Sequence, residues 1–110
     1  MPKAVPPPYE VAAAIEALGE RIRHARMRRQ LSQDDLAQAC GISRRTLFSI
    51  EAGAPGMGIA NIYTVLWKLG LLATTSAVAD PDADDHGKIL EAARLGARAR
   101  RTSPREDTDF

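Results

Sequence analysis

The stretch Ser32 to Gly53, "SQDDLAQACGISRRTLFSIEAG", constrains the fold of this chain more than any other. Two short segments with apolar residues at helical spacing flank a single glycine. In the first, Ser32 stands at an N-cap position, with Asp35 three residues on in a capping-box-like place. Asp34 and Asp35 sit where a helix dipole favours negative charge. Leu36, Ala37 and Cys40 give this segment its inward face. Gly41 follows at once, the residue type best able to take a left-handed backbone at a helix end. Ser43 is a second N-cap. Leu47 and Ile50 point inward, Gly53 stops the helix, and Arg44, Arg45, Thr46 and Ser49 are left facing out.

The neighbouring segments supply the rest of an all-α domain. Val11, Ile15, Leu18, Ile22 and Ala25 form one stripe of a 3.6-residue period, so a helix is expected from Tyr9 to about Gln30. "GAPGMG", residues 53–58, is a loop by composition. Ile59, Ile62, Val65, Leu66 and Leu69 mark a fourth helix closed by Gly70. "LLATTSAVA" reads either as a short fifth helix over about Thr75 to Ala79, which we favour, or as a strand, because Thr and Val favour strands. The expected organisation is a flexible Pro-rich arm over 1–8, a five-helix domain over 9–79 and a charged tail over 80–110. The tail is read as helical over about 86–98 and disordered beyond.

Length and composition fit one modest core in a soluble domain: 110 residues, 45% apolar and 26% charged, with only 5% aromatic. No apolar run approaches the roughly 20 residues of a bilayer span, so no membrane role is expected. Lys3 has no apolar stretch after it, and no secretion signal is read there. Cys40 is the lone cysteine, which suits a reducing cytoplasm. Net charge is only +1, but its distribution is uneven. Seven arginines face three acids between Glu20 and Arg45; five acids lie between Asp80 and Glu91; five arginines and no acid lie between Arg94 and Arg105. Such blocks point to an anionic partner for the front of the chain and a separate role for the tail.

Two helices joined through a glycine corner, the second opening with polar residues, form the helix-turn-helix arrangement. A helix about 10 Å wide fills the major groove of DNA. Arginine is the side chain best shaped for bidentate bonds to guanine, and backbone N–H groups at helix starts attract phosphates.

"LSQDDLAQACGISRRTLFSIEAG" resembles the helix-turn-helix of the phage-repressor-like (Cro/C1, XRE) family over roughly Leu18 to Leu72. Gln33, Leu36, Ala37, Gly41, Ile42, Ser43, Ile50, Glu51 and Gly53 fall where that pattern has them. The resemblance implies a lambda-repressor-like fold and a homodimer on a palindromic operator in double-stranded DNA. By it, Arg44, Arg45, Thr46 and Ser49 would face bases, while Gln33, Ser43, Ala54 and Gly56 would lie on phosphates. Arg26 and Glu51 would form an internal ion pair. "EAGAPGMGIANIYTVLWKLGLL" followed by "ADPDADDHGKILEAARLGARAR" is similar to HipB-type antitoxins, which implies autorepression and a HipA-like Ser/Thr kinase toxin as partner.

The remaining residues with chemical potential are weighed individually. Cys40 reads as a small apolar residue of the interior. His24 and His86 lack metal-ligand spacing, and no metal or other cofactor is expected. Trp67 serves either packing or a dimer face; the interface is expected at Trp67, Leu71, Leu72 and Val78. Phe110, an aromatic after acids at the chain end, is a candidate anchor for a partner pocket. There is no Ser/His/Asp set, and "GAPGMG" lacks the strand and lysine of a phosphate-binding loop, so an enzyme is not expected.

Overall fold

The computed structural model describes residues 5–101. The element order is α1 (Tyr9–Arg28), α2 (Gln33–Cys40), α3 (Arg44–Glu51), α4 (Ile59–Lys68), a 3-10 helix (Leu72–Ala77), a second 3-10 turn (Pro81–Ala83) and α5 (Asp85–Arg101). No strand occurs among the described residues, so the architecture is all-α. Among the described residues, no helix is long and apolar enough to cross a membrane. The chain divides into two compact units between Thr75 and Ser76. Of the expected arm, residues 1–4 lie outside the described range, as does the tail beyond Arg101, Phe110 included.

The first unit is built on a single core. Ile22 and Ala25 of α1, Leu36 and Ala37 of α2, Leu47 and Ile50 of α3, and Val65 and Leu66 of α4 are buried together with Leu69. Leu18, Ile42, Met57 and Ile62 pack against them, and so does Cys40. The apolar stripe of α1 is used only in part. Val11 is exposed and Ile15 half-buried, so the packed face begins near Leu18.

The approach of α1 to α3 depends on the absence of a side chain. A Cβ on Gly19 would lie 2.5 Å from the Ile50 carbonyl oxygen and 2.6 Å from that of Glu51. Both obstacles are backbone, so a larger residue would push α3 away from α1.

Two expectations for the later segments are corrected. The fifth element of the domain is a helix rather than a strand, as favoured, but it is a 3-10 helix over Leu72–Ala77 instead of a helix over about Thr75 to Ala79. Here the hydroxyls of Thr74 and Thr75 donate to the carbonyls of Leu71 and Leu72, three residues back, at 2.6 and 2.7 Å. Ala79 has φ +55, which ends the run. The tail helix also continues past Arg98 to Arg101, where disorder was expected. Arg98, Arg100 and Arg101 in its last turns favour the negative end of the helix dipole, and alanine and arginine are good helix formers.

Candidate nucleic-acid interface

The corner between α2 and α3 is fixed by backbone chemistry at both ends. Ser32 caps α2 by accepting the Asp35 N–H at 3.0 Å. At the other end Gly41 takes φ +71; its N–H donates to Gln38 and that of Ile42 to Ala37. Ser43 then caps α3, accepting the Thr46 N–H at 3.0 Å. Its Oγ also donates to Thr46 Oγ1 at 2.9 Å. With Leu47 and Ile50 turned into the core, the remaining face of α3 has one orientation available.

That face carries Arg44, Arg45 and Phe48, all exposed, with Thr46 and Ser49 half-buried beside them. Arg45 has no hydrogen bond or ion pair to any described residue. Arg44 Nε lies 3.7 Å from Asp34 Oδ1, with both side chains largely in solvent. At that separation and exposure the pair is loose and exchangeable, and a stronger anion can displace it.

Phe48 had no place in the sequence reading. It is 59% exposed, four residues after Arg44 and three after Arg45, on the same side of α3. Gln33, Arg44, Arg45 and Phe48 together line one shallow, open concavity. A single exposed aromatic is ordinary on a protein surface. This one is distinguished by the cationic and amide groups around it. The signal available in the sequence was spacing: position 48 lies on the same outward side as 44 and 45.

Beneath the face lies a buried polar network. Arg26 Nε donates to Glu51 Oε2 at 2.7 Å and Arg26 Nη2 to Glu51 Oε1 at 3.0 Å. Arg26 Nη1 donates to the Leu31 carbonyl at 2.8 Å. Gln33 Nε2 donates to Glu51 Oε1 at 3.1 Å. Glu51 is only 5% exposed, so its charge needs all three donors. The network ties the end of α1, the loop after it, the start of α2 and the end of α3 to one carboxylate. It also fixes Gln33. One N–H of the Gln33 amide is committed to Glu51, so its second N–H and the backbone amides at the start of α2 remain as donors for other contacts.

The Ala54 N–H donates to the Ser49 carbonyl at 3.0 Å, so it is not a free donor for phosphate. Gly56 has φ +81 and open space where a side chain would stand. Elsewhere, Trp67 is 57% exposed with Lys68 Nζ 5.0 Å from its ring centroid. Leu71 is half-buried against the core, Leu72 is exposed, and Val78, also exposed, belongs to the second unit. Burial pushes the Cys40 thiol above its ordinary pKa, while Lys68 pulls it partly back. Its sulfur lies 4.0 Å from the Thr64 carbonyl, packed beside the core.

No group of three or more His, Cys, Asp or Glu among the described residues is placed to hold a metal ion. No curated protein and no solved structure matches the chain. Residues 17–58, which span the end of the loop before α4 and everything back into α1, match a family model described as a helix-turn-helix domain. The segment that turns Arg44, Arg45 and Phe48 outward from a capped glycine corner lies inside this matched stretch, and helix-turn-helix domains are the kind found in DNA-binding regulators.

Proposed function

We propose that this chain is a sequence-specific repressor of transcription that reads double-stranded DNA with α3. The observation that carries the reading is the outward face of α3: two exposed arginines and an exposed phenylalanine on a short helix whose other side is locked in the core. Arg44 and Arg45 are suited to guanine edges in the major groove, and Phe48 to the methyl group of thymine. Thr46 and Ser49 flank them. Around this face, the amides at the starts of α2 and α3, with Gln33, Ser43 and Gly56, are suited to phosphates.

One such helix contacts few base pairs. Two copies would read half-sites about 34–36 Å apart on a palindromic operator. The exposed Trp67 and Leu72, with Leu71, form the surface of the first unit that we assign to that homodimer. Charge supports the anionic partner: residues 1–75 carry nine Lys and Arg against six Asp and Glu, whereas residues 76–110 carry six against eight.

The test is titration of labelled DNA from upstream of the chain's own gene, read by fluorescence anisotropy. Arg44→Ala and Arg45→Ala should each cost about 1–3 kcal/mol and relax specificity at one position per half-site. Binding should weaken steeply with salt as counterions are released. Unchanged affinity in both variants would sink the assignment of α3. The narrower role, an antitoxin beside a HipA-like Ser/Thr kinase, rests on the sequence similarity of the segments after Glu51. Co-purification with a kinase encoded next to this gene tests it, and absence of such a complex leaves a stand-alone repressor.

A further inference from the structure

The second unit presents a helix face with nothing over it. On α5, Ile89, Ala93, Gly96 and Ala97 recur at helical spacing with Leu90 beside them. No residue of α5 is buried, and Ile89 and Leu90 are 65% and 57% exposed. In proteins most helical stability comes from a packed apolar face rather than from propensity. The charges of the unit say what covers it. Asp80, Asp82, Asp84 and Asp85 lie before or at the start of α5; Arg94, Arg98, Arg100 and Arg101 lie in its second half. A parallel pair of such helices sets acid beside acid and arginine beside arginine. An antiparallel pair sets each acidic end beside a basic one.

The same arrangement matches side-chain size. With a two-fold axis near Ala93, Ile89 of one copy lies level with Ala97 of the other, and Leu90 with Gly96. Large residues meet small ones, and alanine meets alanine at the centre, so the helices can approach closely. Asp85 and Arg101 fall at matching levels by the same symmetry, within reach of long arginine side chains.

We propose that α5 is a homotypic docking surface that pairs antiparallel with α5 of a second copy, acidic end to basic end. This goes beyond the DNA reading and does not depend on it. The experiment uses the full chain in sedimentation equilibrium, with circular dichroism to verify that helix content is kept. Asp82→Arg with Asp85→Arg makes one double variant, and Arg100→Glu with Arg101→Glu the other. Asp84 is left alone because its carboxylate accepts the Gly87 N–H at 2.9 Å. Each double variant by itself should self-associate about tenfold more weakly, since like charges now face each other. An equimolar mixture should recover the parent's association, because the all-basic helix then lies beside the one made acidic at both ends. The weakening of each double variant alone is specific to antiparallel pairing, because a parallel pair already sets like charges together in the parent and its mixture would associate more tightly than the parent. A monomeric parent, charge variants that associate like the parent, or a mixture that fails to recover would each overturn the proposal. Loss of association only in Leu72→Asp would likewise overturn it, by assigning the pairing to the first unit.

Discussion

Glu51 shows how a residue can be named correctly in sequence while its role is only half visible. Its pairing with Arg26 was implied by resemblance, and the two side chains do meet in a two-pronged contact. The third donor, Gln33, was assigned to phosphate alone, because nothing in a linear pattern shows that the start of α2 folds back over the end of α3. Removing one partner of a buried charge costs more than the pair contributes. Arg26→Ala should therefore destabilise the domain by about 3–5 kcal/mol in urea unfolding, a loss far above that of any exposed arginine on α1. Asp34 poses the opposite case. Its carboxylate stands 3.7 Å from Arg44 Nε, competes with DNA for that guanidinium and repels phosphates. Asp34→Asn should tighten binding to all DNA sequences by about two- to fivefold at low salt, with folding stability nearly unchanged. Phe48 went without a sequence reading although Leu47 and Ile50 already gave α3 its inward side; its 59% exposure beside Arg44 and Arg45 is what singles it out.

The first four helices all end in the same way. After α1, α2, α3 and α4 the chain takes one residue of positive φ, at Gln30, Gly41, Gly53 and Gly70. The following N–H then reaches back five residues, from Leu31 to Arg26, Ile42 to Ala37, Ala54 to Ser49 and Leu71 to Leu66. Three of the four ends were readable in advance, because glycine marks them. The end of α1, expected near Gln30 and found at Arg28, carries no such mark, because Gln30 occupies a position where a side chain is disfavoured. Gln30 is exposed, with φ +55, and its side chain makes no bond to any described residue. Gln30→Gly should therefore raise stability by about 0.5–1 kcal/mol, read as a higher thermal midpoint with unchanged DNA affinity. The 3-10 segment after α4 was left open between helix and strand for a related reason. Its threonines satisfy carbonyls three residues back, a local choice that neither hydrophobic period describes.

At the scale of the whole molecule, two candidate contacts between copies lie on different units: Trp67 with Leu72 on the first and α5 on the second. Trp67 is the single tryptophan, so its fluorescence reports on the first of these alone. With 57% of its surface open, the ring is accessible to a small quencher in an isolated copy. If the Trp67 surface closes between copies, acrylamide quenching should fall as protein concentration is raised through the association range, and emission should shift to the blue as water leaves the indole. Leu72→Asp should then restore quenching and lower the measured mass together. A doubled mass with unchanged quenching would remove Trp67 from the interface and leave α5 as the contact. The outcome bears on DNA reading because a dimer joined through the first unit holds its two α3 helices at a set spacing. In such a dimer, inserting about five base pairs between half-sites should abolish tight binding by turning one half-site to the opposite side of the duplex.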